Sequence, residues 1–392
     1  LKRSHVITSM LMGLAGSSVG LVASASVLVL PTEKAIVDRD WLFEWQPPAP
    51  HLAQAESNLT EAQQDQVDEL LRQGQDRVDA GDYAGAITAY EQAAQIDRQN
   101  PRLFSGIGYL QIQSGNYSAA IEAYEQAIDL DPDNIPFHYG LAHSQFNDEQ
   151  LDAAEQTYRH ILDINSRETD AYLGIGGIQM QQEDYDAALD TYQELARIAP
   201  GNADVYQALG TLYLQQEDYD QALSYLEQGQ RVDPNNADLH VTTGNIQMLL
   251  NENESAKASF RKALELNPQN ANAHYQLGYL LYESGDYETA YGHLLRAAQL
   301  NPDLVGAQVL VGELALEREN YVQAVLAYRR VTRAVSDDPG AHYNLALALW
   351  GQGFKGQAIS NLETATYLYE RQDDAAGASR AQELLEFWQS QL

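Results

Sequence analysis

Four histidines, His138, His240, His274 and His342, are separated by 102, 34 and 68 residues, each a multiple of 34. Imidazoles in a pattern could hold a zinc ion or carry protons. The regular spacing argues against both. It places the four rings at equivalent points of successive structural units, and packed helices are about 8–10 Å apart. A zinc ion needs ligand nitrogens at about 2.0–2.1 Å, so these rings cannot share one and are expected to pack as aromatics. The 56 acidic residues pair with no nucleophile or base in a recognisable motif. There is no Cys, which removes disulfides, thiolate metal sites and thiol nucleophiles. No Gly-rich phosphate loop with Lys, no H-E-x-x-H and no G-x-S-x-G occurs. The expectation is no catalytic residue, no metal and no cofactor, hence not an enzyme.

The 34-residue spacing runs through most of the chain. Nine copies begin at Val67, Pro101, Ile135, Thr169, Ala203, Ala237, Ala271, Val305 and Pro339 and run to 372. Numbered within a copy, position 8 is Gly or Ala throughout, from Gly74 and Gly108 to Gly312 and Ala346. Position 20 is Ala in every copy, from Ala86 to Ala358. Position 24 is large, as in Tyr90, Tyr124, Tyr158, Tyr192, Phe260 and Tyr328. Small residues at 8 and 20 let two antiparallel helices approach, and the residue at 24 fills the space further along. Gly115-Asn116 and Gly285-Asp286 break the chain between the two helices, and Pro132, Pro200, Pro234, Pro268 and Pro302 end the second.

This pattern resembles the tetratricopeptide repeat. The resemblance covers 306 of 392 residues. It departs from the family at position 4, which has His or another residue in place of Trp, and at position 32, where four copies lack Pro. The implied fold is all-α: a right-handed α-α superhelix of nine helix-turn-helix units, with first helices lining a concave groove and second helices facing outward. Thr60 and Gln63 form a capping box that opens the body at 60. A single repeat cannot bury its own apolar face, so the stack needs a polar end. Residues 373–392 supply it as a helix carrying Ala378, Ala381, Leu384, Leu385 and Trp388 at helical spacing.

In the family, positions 2, 5, 9, 12 and 13 face inward. Position 12 is apolar in every copy, including Phe146, Met180, Met248, Tyr282 and Trp350. Positions 5 and 9 add Tyr109, Tyr139, His143, Tyr275, Tyr279 and Tyr343. These eleven residues are the expected groove, suited to aliphatic or aromatic side chains of a partner segment. An alternative is that position 12 is interior in any such repeat. The Lys, Arg and Asn clamp with which some relatives grip a C-terminal carboxylate is missing, since Arg102 is the only inward base.

The chain carries a formal −33. Nucleic acid is excluded as a partner, because gripping phosphates needs clustered Lys and Arg. Residues 67–236 hold 30 acids against 8 bases, a net −22, whereas residues 237–372 hold 15 against 10, a net −5. A basic partner would be steered towards repeats 1–5; a solvated acidic surface is the simpler account. Arg329, Arg330, Arg333, Lys257, Arg261 and Lys262 fall on outward helices, where surface ion pairing is expected.

Residues 6–30 contain no charged side chain and follow Lys2 and Arg3. This 1–30 region is long enough for a single-pass membrane anchor. Ala23-Ser24-Ala25 resembles a signal-cleavage site, which leaves a secreted or periplasmic product as the alternative. Gly16 and Gly20 share a face on which two helices could pair as a homodimer. The 31–59 linker has Pro47, Pro48 and Pro50 after Trp41, Leu42, Phe43 and Trp45. The whole reads as a membrane-tethered, extracytoplasmic scaffold that binds peptide segments of partner proteins and assists assembly of a membrane or envelope complex. A self-association module and a regulatory or targeting subunit of a separate enzyme are the alternatives.

Overall fold

The structure, a computed structural model, describes residues 59–391. Outside the described residues lie the uncharged segment 6–30 expected to be a membrane anchor, the Gly16/Gly20 face, the Ala23-Ser24-Ala25 motif and the aromatic linker. Among the described residues all 19 elements are helices, and none is long and apolar enough to cross a membrane.

The helices divide into two compact units. The first, over 59–232, holds α1 (Glu61–Asp79), α2 (Tyr83–Ile96), α3 (Pro101–Gln113), α4 (Tyr117–Leu130), α5 (Ile135–Asn147), α6 (Leu151–Ile164), α7 (Thr169–Gln181), α8 (Tyr185–Ile198), α9 (Ala203–Gln215) and α10 (Tyr219–Val232). The second, over 233–391, holds α11 (Ala237–Leu249), α12 (Asn253–Leu266), α13 (Ala271–Glu283), α14 (Tyr287–Leu300), α15 (Val305–Glu317), α16 (Tyr321–Ala334), α17 (Pro339–Gly351), α18 (Lys355–Arg371) and α19 (Ala375–Gln389). Within each unit every helix packs on its predecessor and its successor.

The expected capping box opens α1. The Thr60 hydroxyl accepts from the Gln63 backbone N–H, and the Gln63 side chain accepts from the Thr60 N–H. At the other end, α19 buries Ala381, Leu385 and Trp388, as the capping reading requires.

Each turn between the two helices of a repeat has a left-handed residue at position 15. Gly81, Gly115, Gly285 and Gly353 adopt it without steric cost, but Glu149, Glu183, Glu217, Asn251 and Glu319 hold φ of 55–61° there. The next residue often offsets that strain by capping the second helix. Asp82, Asp184, Asp218, Asp286 and Asn320 each accept from a backbone N–H three residues on.

Position 20 is fully buried in all nine repeats. The residue at 24 does not fill space beyond the glycine at 8, as expected from the sequence; it lies directly on it. A Cβ at Gly108 would sit 2.7 Å from the Tyr124 ring, and one at Gly312 would sit 2.7 Å from Tyr328. The same side chain also meets position 6 of the following repeat, since a Cβ on Gly174 would lie 2.6 Å from Tyr158. Tyr124, lying against both Gly108 and Gly140, is therefore a key held by two helices of different repeats.

Candidate functional site

The first helices of successive repeats touch through long side chains. Tyr139 at position 5 donates to Glu168 Oε2 at 3.3 Å, just ahead of the next repeat. Tyr282 at position 12 donates to Glu313 Oε1 at 2.7 Å, where Glu313 is position 9 of the following repeat. The Tyr275 ring reaches Gly306, at position 2 of the next copy, so closely that a Cβ there would lie 2.9 Å from its Cζ. A side chain at an inward position is thus an interface residue whenever the next repeat can receive it.

This corrects the expected groove at four places. Tyr139, Phe146, Met180 and Tyr275 are buried, so they contribute to the core and not to an open surface. Met180, at 1% exposure, accepts from the Tyr192 hydroxyl at 3.7 Å, which ties position 12 to position 24 of its own repeat. Phe146 shares a core cluster with Tyr139 and Tyr158. Burial pushes the Tyr275 phenol up to about 12 and drives Tyr139 higher still, with Asp170 and Glu168 adding to the shift.

The other seven keep part of their surface. In the first unit Tyr109 flanks the N-terminal core cluster, and the His143 carbonyl accepts from the Asn147 amide at 2.9 Å. These two are not brought together with a third aromatic of the predicted set that remains open. In the second unit Met248, Tyr279 and Tyr282 all pack against one core cluster, and Tyr343 and Trp350 against the next. The Tyr282 ring meets Tyr287 edge-on at 5.4 Å. Trp350 stacks on Trp388 of α19 at 4.2 Å with the planes 6° apart, and Lys355 Nζ lies 5.1 Å from the Trp350 ring. The capping helix therefore covers one face of Trp350.

Sequence reading missed Glu313. Burial raises its carboxyl above the ordinary range, the Tyr282 hydrogen bond opposes that rise, and Glu317 one turn on adds to it. No Lys or Arg pairs with it among the described residues. Burial, followed by the Glu313 hydrogen bond and charge, in turn raises the Tyr282 phenol. The available signal was that Glu313 is the only acid at position 9 in nine copies. The outcome is a half-open patch of Tyr279 and Tyr282 beside an unpaired carboxylate.

The position 4 histidines pack as expected, with polar tethers that the sequence did not reveal. His138, His274 and His342 each set Nε2 against the backbone carbonyl six residues earlier, at 2.7, 3.2 and 3.2 Å. His274 Nδ1 is 2.9 Å from His293 Nδ1, and the His138 and His160 rings are 4.7 Å apart. Groups of three or more potential metal ligands are absent among the described residues.

With this geometry in view, the comparisons agree with it. Tetratricopeptide repeat models match residues 111–174 and 179–246, then 71–135 and 310–376, then 271–304, and a TPR repeat model matches 244–285. The chain belongs to the tetratricopeptide repeat family. None of the matched models describes an enzyme. A tetratricopeptide repeat protein from Parabacteroides merdae has the same fold, with 18% identity, 64% of this chain and 99% of that chain covered, and a TM-score of 0.51. A pilF structure from Pseudomonas aeruginosa is 22% identical over 55% of this chain and 98% of its own, with a TM-score of 0.44. A TPR repeat-containing protein of Picosynechococcus is 37% identical over 65 residues, and the match spans 17% of each chain.

Proposed function

We propose that this protein is a non-catalytic interaction scaffold that holds a segment of a partner protein on the first helices of repeats 7 and 8. The observation that carries this reading is the juxtaposition of half-open Tyr279 and Tyr282 with Glu313. Aromatic rings offer large contact area at low conformational cost. A partly desolvated carboxylate without a cation favours an incoming Lys or Arg side chain. The segment that suits the patch is apolar with an interspersed base. In this reading residues 6–30 tether the scaffold to a membrane with its body extracytoplasmic, and the captured partner is a component of an envelope complex.

The test is capture of partners from membranes of the native host by the full chain, with a photo-crosslinker at the exposed position 283 of the same helix. Capture should be strong for the parent and lost when Tyr279→Ala is combined with Tyr282→Ala, with far-UV circular dichroism unchanged. Equal capture by the double variant would refute the groove. Protease protection of intact cells checks the orientation: the body should be cleaved from outside the cytoplasm.

A further inference from the structure

The outward helices of the second unit carry a row of bases that the rest of the chain lacks. Position 26 is Lys262, Arg296 and Arg330 on α12, α14 and α16, whereas repeats 1–5 have Gln92, Gln126, His160, Glu194 and Gln228 there. On α16 the row broadens with exposed Arg329 and Arg333. The sequence suggested that these bases are held in surface ion pairs. Lys257 does pair with Glu254 at 2.6 Å and Lys262 with Glu265 at 3.3 Å. The α16 arginines do not: Arg329 donates to the neutral Gln357 side chain and Arg330 to the Ala298 carbonyl, and neither they nor Arg333 form an ion pair among the described residues. Arg296 likewise reaches only the Gln269 amide oxygen. On α16 Val322 and Leu326, 63% and 52% exposed, occupy positions 18 and 22, so no carboxylate there offsets the arginines.

A complementary row exists in the first unit. Position 18 is Asp152, Asp186 and Asp220 on α6, α8 and α10, all exposed and without an ion pair among the described residues. The equivalent acids of the second unit are already engaged, Glu254 with Lys257 and Glu288 with Arg318. Both rows advance one charge per repeat, so their spacing is set by the same helical step; of the bases, Arg296 and Arg330 have no ion pair among the described residues and Lys262 shares its charge with Glu265. An arbitrary anion would meet one or two of these bases. A surface with three carboxylates at the repeat spacing can meet all three.

We propose that the outward face of repeats 6–8 binds the outward acidic face of repeats 3–5 of a second copy of this chain. Two different surfaces are used, so the contact is heterologous and each copy keeps a free acidic and a free basic row for further growth. The attraction is between exposed charges and is therefore sensitive to salt.

The experiment is sedimentation equilibrium of the full chain in a non-ionic detergent. Association is expected at about 0.05 M salt and should weaken by at least about tenfold at about 0.5 M. Lys262→Glu/Arg296→Glu/Arg330→Glu and Asp152→Lys/Asp186→Lys/Asp220→Lys should each weaken self-association by about tenfold or more. Mixing the two reversed proteins, one acidic and the other basic on both faces, should restore association at one-to-one stoichiometry. The neutral set Lys262→Gln/Arg296→Gln/Arg330→Gln, less prone to disturb folding, should weaken it in the same direction. A chain that stays single at low salt, reversed variants that associate like the parent, or a mixture that fails to recover would each overturn the proposal.

Discussion

The two units are built on one 34-residue register and yet present different surfaces. In the first, Tyr139, Phe146 and Met180 at inward positions sink into the core, and Tyr109 stays half-open. In the second, Met248, Tyr279, Tyr282, Tyr343 and Trp350 remain half-open, and only Tyr275 is lost. The difference arises from what the next repeat offers. Tyr139 reaches Glu168 just ahead of the next repeat and Met180 is met by the Tyr192 hydroxyl in the first unit, whereas Tyr282 meets Glu313 in the second and stays half-open. A register position therefore specifies a direction, and the neighbour decides whether the side chain is core or surface.

The comparison can be broken most severely at the keys. Tyr192→Ala removes a fully buried ring seated on Gly176 and should cost about 3–5 kcal/mol. The described tryptophans, Trp350 and Trp388, both lie in the second unit. Their fluorescence should accordingly change after the first loss of far-UV dichroism on heating; coincident transitions would mean that the two units unfold as one.

Acid should act more on the second unit. Burial lowers the imidazole of His274, with Arg296 adding to the shift, and that of His293, with His274 and Arg261 adding to it. A depressed imidazole leaves stability intact above the ordinary histidine range and removes it as pH falls, because the unfolded chain takes up the protons first. Allowing for solvent screening, the loss between about pH 7 and pH 5 should be about 1 kcal/mol for the pair. His293→Phe should flatten that slope in a urea titration followed by tryptophan fluorescence.

Glu313→Gln sharpens the contrast, because the amide oxygen can still accept from Tyr282 while the half-buried charge is gone. A carboxyl raised by burial favours folding at low pH, and this contribution fades as pH rises through the window above the ordinary glutamate value. The variant should be more stable than the parent at neutral pH by up to about 1 kcal/mol and should lose preference for a basic segment. Smallest is Glu183→Gly, which relieves a left-handed turn at φ 61°. It should raise the first unit's melting midpoint by the equivalent of a few tenths to about 1 kcal/mol, once the greater freedom of unfolded glycine is subtracted.

Much of this architecture is legible in the residues. The invariant Ala at position 20 and the Thr60–Gln63 box give the hairpins and the start of the body, because both depend on contacts within one repeat. The terminal cap is equally clear from Ala381, Leu385 and Trp388. The left-handed Glu149, Glu183 and Glu217 are less so, since Glu favours helices and only the register shared with Gly81 and Gly115 marks the turn position. The candidate surface is only half legible for a related reason. Its openness depends on pairs such as Met180 with Tyr192 and Tyr282 with Glu313, which are 12 and 31 residues apart and whose residue types change from copy to copy.

The sharing of large side chains such as Tyr124 and Tyr328 between their own hairpin and the following one limits how the molecule can evolve. Tyr158 requires the bare backbone of Gly174, while Tyr328 is met by the Asn344 amide. Duplicating or shuffling whole 34-residue blocks would keep the period and still place rings against occupied sites. The order of the repeats is thus written into their seams, and a new arrangement would have to change both sides of a seam together.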